Sequence, residues 1–234
     1  MFYNRNEKRK YVHNLFDSIA KDYDRINQVI TFGMNAVIKD SSIKKVLIKP
    51  NSKILDVCTG TGDIAIRLAK KHADSEITAI DFSENMLNIA KNRAKNIPNI
   101  KFINGDAMNL PFEDSYFDAV FISYGLRNLE STEHGLKEMI RVTKDNGYIS
   151  NLDLGKPNPL FNIILRPYFF HIVPLMGKIL HGDSNPYKYL PESGDEFISQ
   201  QEIVDLLKQF GCENIRNYNY VFGAIAQQTA KVRK

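Results

Sequence analysis

The chain has 234 residues, 43% of them hydrophobic and 25% charged, which is enough apolar material for one generous core at an ordinary charge density. Its net charge of +4 is too small to be the footprint of a nucleic-acid-binding domain. Its two cysteines, Cys58 and Cys212, have no metal-ligand spacing and fit a reducing compartment better than a disulfide scaffold.

The N-terminus is polar and basic without an apolar run, so no signal peptide is expected. Val12, Leu15, Phe16 and Ile19 fall on one face and predict a helix over 5–22. Tyr23-Asp24-Arg25-Ile26-Asn27 follows, then Gly33, and a second helix is expected over 36–48, ending before Pro50. Residues 1–50 are too polar to form a domain and are expected to pack over a ligand site as a helical lid. They carry more Lys and Arg than Asp and Glu. That surplus suits an anionic membrane surface, or simply a solvated helix face.

The next stretch organises the chain. Ile54-Leu55-Asp56-Val57 runs into Cys58-Thr59-Gly60-Thr61-Gly62-Asp63, and a helical run follows. This is a strand–loop–helix junction, where adenosine-containing ligands sit in open α/β sheets. Gly60 and Gly62, on either side of Thr61, lack a Cβ and let the backbone approach such a ligand closely. The pattern also satisfies the loose dinucleotide fingerprint, and Asp56 separates the two readings. A carboxylate at the strand end repels a pyrophosphate but suits the sulfonium and ammonium of S-adenosylmethionine. Asp81, at the end of a strand over 77–80, is placed to accept bonds from ribose hydroxyls. Asp106, after a strand over 100–103, is placed to accept one from an adenine amino group. The alternatives are a helix cap for Asp81 and a turn role for Asp106.

Further strands are expected at 117–122 and 147–152, with Ser123 at the carboxyl edge of the first and Tyr124-Gly125-Leu126-Arg127-Asn128 beyond it. Residues 157–181 are apolar but are interrupted by Arg166, His171, Lys178 and two prolines, Pro167 and Pro174. They are expected to form a kinked helical cap rather than a spanning helix. Such a cap suits a greasy pocket or a bilayer surface. Ser199 opens a helix over 199–209, and two antiparallel strands around Phe222-Gly223 close the chain. The expected fold is α/β: a seven-stranded, mostly parallel sheet of the Rossmann-like methyltransferase class, with an N-terminal helical segment and a helical cap insertion. The expected division is a lid (1–50), a cofactor-binding core (51–152), an acceptor-side cap (153–198), and a final helix with antiparallel strands (199–234).

Several motifs together are more specific. They are Phe16-Asp17-Ser18-Ile19-Ala20 with Tyr23-Asp24 and Asn27, Leu55 to Asp63, and Asp81-Phe82-Ser83 with Met86-Leu87. Gly105-Asp106-Ala107 with Leu110-Pro111-Phe112, Tyr124-Gly125-Leu126-Arg127-Asn128, and Gly182-Asp183 with Tyr187 and Tyr189-Leu190-Pro191-Glu192-Ser193 complete the set. With them the chain resembles the quinone-biosynthesis C-methyltransferases of the ubiquinone/menaquinone family. The resemblance implies methylation of a ring carbon on a polyprenyl hydroquinone, demethylmenaquinol or a methoxy-benzoquinol, with S-adenosylmethionine as cofactor. It implies cofactor contacts at Thr61, Asp81, Asp106, Ala107 and Ser123; Asp56, Gly60, Gly62, Phe82 and Met86 join that candidate set. Arg127, Asn128 and Tyr23 are the candidate catalytic residues. Arg127 and Asn128 would hold the quinol oxygen, Arg127 stabilising phenolate character or ordering a water that takes the proton, since arginine is too basic to act as a free neutral base at pH 7; the alternative for Arg127 is a structural salt bridge. No metal and no nucleic acid are expected, and the location implied is cytoplasmic. Peripheral contact at the inner membrane face and a homodimer are left open.

The chain departs from the family pattern at Asn35 and Ile38, where His and Trp are common, at Asp145-Asn146-Gly147, at Ile198, and at Gln228 and Ala230. These positions bear on the acceptor more than on the cofactor. The rival readings are a methyltransferase with another small-molecule acceptor, a non-catalytic cofactor-binding scaffold in quinone synthesis, and a dinucleotide oxidoreductase, which Asp56 disfavours.

Overall fold

The computed structural model describes residues 5–182 and 184–234; Asp183, part of one motif above, lies outside them. The chain opens with three helices, α1 (Arg5–Ile19), α2 (Tyr23–Ile30) and α3 (Met34–Lys44). Five strand-led units follow: β1 (Lys53–Val57), α4 (Asp63–Lys71), β2 (Glu76–Asp81), α5 (Glu84–Arg93), β3 (Ile100–Asn104), β4 (Phe117–Ser123), α6 (Thr132–Val142) and β5 (Thr143–Leu154). Next come α7 (Pro159–Pro167), one π-helical turn at Tyr168–Ile172, α8 (Val173–His181), α9 (Asn185–Glu196) and α10 (Gln200–Gln209). The chain ends in β6 (Glu213–Tyr220) and β7 (Ile225–Lys231).

The seven strands form one sheet in the order β3-β2-β1-β4-β5-β7-β6. β1 to β5 pair in parallel, and β7 runs antiparallel to both β5 and β6. The order reverses beside β1, so the crevice at the carboxyl ends of β1 and β4 is the switch point where ligands bind in such sheets. Both sheet faces are covered. Val120, Ile122, Leu136, Met139, Ile203 and Leu207 belong to the core on the α6 and α10 side. Ile43, Ile54, Ile64, Leu68, Ile77 and Phe121 belong to the core on the α3 and α4 side. β1 is buried from Ile54 to Val57, as a central parallel strand covered on both faces must be.

The structure corrects several boundaries. The helix expected to residue 22 stops at Ile19, and the segment from Tyr23 is itself helical. Gly33, at φ 76°, separates it from α3, a left-handed turn that glycine adopts without a Cβ clash. β5 starts at Thr143 rather than 147, because its register slips between Phe117 and Ala119 and Asn146 at φ 63° bulges out. α9 was not foreseen. Pro186 lies in its first turn, where no N–H partner is lost, and Pro191 lies inside it. The apolar stretch is helical throughout, as a kinked cap would be. Its π turn falls between Pro167 and Pro174, a register change that lets a helix run on past a proline. By length and composition Pro159–Ile179 could cross a membrane.

That path is tied to the body. Val173 is fully buried in a cluster with Ile26, Ile30 and Tyr187, Tyr168 donates to the Ile30 carbonyl at 2.7 Å, and Arg166 pairs with Asp195 at 2.9 Å. α1 packs Val12, Leu15 and Ile19 against Tyr189, with Phe82 beside them.

Candidate active site

The site begins at the turn after β1. Gly62 sits at φ 80° and caps α4, and a Cβ there would lie 2.9 Å from that of Ala90. Both the angle and the space therefore require glycine. Gly60 differs: a Cβ on it would meet nothing within 4 Å, because this turn opens onto a cavity of about 1000 Å³ including its mouth.

Three acids reach that cavity. Asp56 is buried, and its Oδ2 accepts from the Thr59 hydroxyl at 2.6 Å and the Ala65 amide at 3.1 Å. Burial pushes its carboxyl up to about 7, against the pull of those two bonds. Asp81 accepts from the Gly60 amide at 2.7 Å and the Ser83 amide at 3.0 Å, and burial raises it as well. Ser83 itself caps α5 by accepting from the Met86 amide. Asp81 therefore braces the turn while its carboxylate still faces the cavity. Asp106 accepts from the Met108 amide at 2.9 Å and pairs with Arg9 at 2.9 Å.

The N-terminal helices close over these groups. Asp24 accepts from the Thr61 hydroxyl at 2.9 Å and pairs with Arg93, which also donates to the Thr61 carbonyl at 3.0 Å. Ser83 donates to Asp17. Lys8 donates to the carbonyls of Arg127 and Leu129 at 2.9 Å each, which fixes the short turn at Leu126–Asn128.

Of the residues singled out by the sequence, Tyr23, Asp56, Gly60, Thr61, Asp81, Phe82, Met86, Asp106, Ser123 and Asn128 line this cavity. Gly62, Ala107 and Arg127 do not. Gly62 shapes the turn from behind, and Ala107 packs into the core. Arg127 faces a second and larger cavity of about 1800 Å³ including open space. That cavity runs under the α7 path between Ile30, Ile38, Leu154, Phe161 and Leu165. Tyr23 and Tyr124 line both cavities and form the wall between them. Arg127 is buried. Its Nη1 donates to Asp153 at 2.6 Å and to the Tyr124 carbonyl at 2.7 Å, while its Nε has no partner. Asn128 donates to the Tyr124 carbonyl at 3.0 Å and accepts from the Tyr189 hydroxyl at 2.9 Å.

Sequence reasoning missed Lys39, which is buried, borders the first cavity and pairs with Asp63 at 2.9 Å, and Arg9 on Asp106. Nothing local marks either pair, because each joins residues far apart in the chain. Tyr124 stood in a quoted motif and Asn35 at a departure from the family pattern, yet neither was given a role.

The first cavity fits S-adenosylmethionine by its donor set. Its acids Asp56, Asp81 and Asp106 suit cations and hydroxyl or amino donors, and Gly60 leaves room for close backbone approach. Comparison with known proteins agrees. The model of the ubiE/COQ5 methyltransferase family matches residues 4–231. A demethylmenaquinone methyltransferase of Staphylococcus haemolyticus is 38% identical over 98% of this chain and 97% of its own. One of Desulfitobacterium hafniense is 39% identical over 97% and 91%. Among solved structures, a SAM-dependent methyltransferase from Thermotoga maritima superposes with a TM-score of 0.69 at 20% identity, over 94% of this chain and 99% of that one.

Proposed function

The chain belongs to the ubiE/COQ5 methyltransferase family, and on that premise we propose that it methylates a ring carbon of demethylmenaquinol. It is an S-adenosylmethionine-dependent methyltransferase of quinone biosynthesis; what is proposed is the acceptor and the work of each residue. The observation that carries the acceptor is the second cavity. It is large, mostly apolar, and separated from the cofactor cavity only by Tyr23 and Tyr124. A flat ring against that wall would present its edge to the cofactor, and a prenyl tail would lie along Ile30, Phe161 and Leu165.

Bound S-adenosylmethionine supplies an electrophilic methyl on a sulfonium. Asp56 answers its positive charge, Asp81 accepts from the ribose, and Asp106 faces the adenine, with Gly60, Thr61, Phe82, Met86 and Ser123 around it. The acceptor carbon becomes nucleophilic as its neighbouring ring hydroxyl gives up a proton. Bound cofactor would supply the methyl, its sulfur–methyl bond breaking as the ring carbon–methyl bond forms; the ring proton is then lost to solvent and the phenolic oxygen regains its own, so one proton is released in all. Arg127, through its unpartnered Nε, steadies negative charge on that ring oxygen. Tyr23 belongs to the wall between the cavities, and Asn128 borders the cofactor side. In this reading 1–50 is the lid, 51–152 the cofactor core, 153–198 the acceptor-side cap, and 199–234 the closing helix and strands.

An acceptor with a polyprenyl tail lives in a bilayer. We therefore place the enzyme in the cytoplasm, in peripheral contact with the inner membrane face through the exposed α7 and α8 path. The test is methyl transfer from labelled S-adenosylmethionine to reduced demethylmenaquinone and to a reduced demethylated methoxy-benzoquinone, side by side. Label in the naphthoquinol product is expected. Label only in the benzoquinol moves the acceptor class, and label in neither, with the cofactor still binding, removes the reading.

A further inference from the structure

Three residues that line the second cavity each bury a polar side-chain atom without a partner: Arg127 its Nε, Tyr124 its hydroxyl and Asn35 its Oδ1. Buried polar atoms are nearly always hydrogen-bonded, and each exception calls for a reason. Three exceptions on one otherwise greasy cavity share a reason most simply if a polar ligand completes them.

Tyr124 is held in place for such a role. Its φ is 58°, a left-handed conformation that an aromatic residue adopts only when its surroundings impose it. The surroundings are visible. The Tyr124 amide donates to the Leu152 carbonyl at 2.7 Å, and its carbonyl accepts from both Arg127 and Asn128. The backbone is clamped on three sides, and the ring is set into the wall between the cavities. Burial, with Asp153 nearby, drives the phenol far above its ordinary range, so it remains a proton donor. Asn35 comes from the opposite direction, in the first turn of α3 just after the left-handed Gly33. Its amide nitrogen lies 3.4 Å from the Thr31 hydroxyl, which fixes the start of that helix.

A hydroquinone carries two oxygens at opposite ends of its ring. We propose that the Tyr124 hydroxyl and the Asn35 side-chain amide together hold the ring oxygen para to the one beside Arg127, and so select acceptors with a free hydroxyl at both ends. This inference rests on the hydroquinone reading above and names the residues that read the far end of the ring. The phenol donates to that oxygen, and the hydroxyl on that oxygen donates to Asn35 Oδ1. An acceptor lacking the hydroxyl leaves Asn35 Oδ1 buried and unpaired, which is what makes a polar site reject its apolar analogue.

The experiment compares two acceptors in three proteins. The acceptors are a short-chain demethylmenaquinol and its monomethyl ether at the far oxygen, which keeps the hydroxyl next to the reacting carbon. The proteins are the unaltered chain, Tyr124→Phe and Asn35→Leu. Cofactor affinity by calorimetry accompanies each and reports an intact fold. The unaltered chain is expected to favour the free quinol over the ether. Each variant is expected to raise KM for the quinol about three- to tenfold, leave cofactor affinity unchanged, and narrow the preference over the ether. The intrinsic reactivity of the two acceptors cancels in that comparison. If both variants bind cofactor normally and keep the full preference, the inference is overturned and the acceptor reading stands. If the unaltered chain methylates neither acceptor, the acceptor reading falls and this inference falls with it.

Discussion

The Arg127 guanidinium donates to the Asp153 carboxylate at 2.6 Å, and both side chains are buried. The pair joins the turn after β4 to the end of β5, and Asp153 also accepts from the Arg127 amide at 3.2 Å. The same arginine is therefore structural through Nη1, while its Nε is left without a partner. Arg127→Ala strands a buried carboxylate and is expected to destabilise the fold by about 3–5 kcal/mol, which would hide any catalytic effect. Arg127→Lys keeps a cation for Asp153 but has no second nitrogen at the Nε position. It is expected to keep most of the stability, bind cofactor normally and lose most turnover. Melting curves beside single-turnover rates check this. Full turnover in the lysine variant would make the arginine purely structural.

Asp56 links stability, pH and cofactor binding. Its folded pKa of about 7 lies above the ordinary 3.8. Between those values the folded protein holds a proton that the unfolded chain releases, so this group's contribution to stability falls as pH rises through that window. Asp56→Asn can still accept from Thr59 and Ala65 through one oxygen. It should melt higher than the unaltered protein above pH 7, by the order of a few kcal/mol, with the gap closing near pH 4. Cofactor affinity should move the other way. In the unaltered chain it weakens as pH falls below about 7, and in the variant it is weak and nearly flat. Parallel melting profiles for the two proteins would sink the assignment.

How far the sequence foretold this site depends on how local each feature is. The glycine turn, Asp56, Asp81 and Asp106 were legible because each sits at the end of a short apolar run and the parallel sheet brings strand ends together. The seven strands and the antiparallel β7 followed from the same alternation. Lys39 with Asp63, Arg9 with Asp106, and Arg127 with Asp153 were not legible, since each joins segments that only tertiary packing brings close. Ala107 illustrates the converse. The family motif places it at the cofactor, and its side chain lies in the core, which leaves its backbone for any such contact. α9 has weak local signals, since it carries two prolines, Pro186 in its first turn and Pro191 inside it.

The lid should be electrostatically latched. Asp24 on α2 meets Thr61 in the glycine turn and Arg93 on α5. Both ionic partners are partly exposed, so the latch is weak and screened by salt. Asp24→Asn is expected to lower cofactor affinity up to about fivefold at low salt and much less at high salt. Calorimetric titrations at two ionic strengths read this. An affinity indifferent to both the substitution and the salt would show that the lid closes by apolar packing alone.

The outer face of the α7 and α8 path should bind bilayers without crossing them. Leu160, Ile163, Leu175 and Ile179 are between 58% and 79% exposed, an area of apolar surface that a protein facing only water seldom presents. Phe222, stacked on Phe161, and Phe32, beside Tyr168, extend the patch. The inner face is pinned by Val173, by Tyr168 on Ile30 and by Arg166 on Asp195. The helix therefore lies along the body, as an in-plane segment lies along a membrane. Ile163 and Ile179 do not line the acceptor cavity, which separates membrane contact from catalysis. The double substitution Ile163→Asp with Ile179→Asp is expected to abolish co-sedimentation with anionic vesicles. Turnover of a short-chain acceptor in solution should persist, and turnover of a long-chain acceptor held in vesicles should fall steeply. Unchanged sedimentation would assign this apolar face to a protein partner or a second copy of the chain, and loss of both activities would assign the two isoleucines to the fold itself.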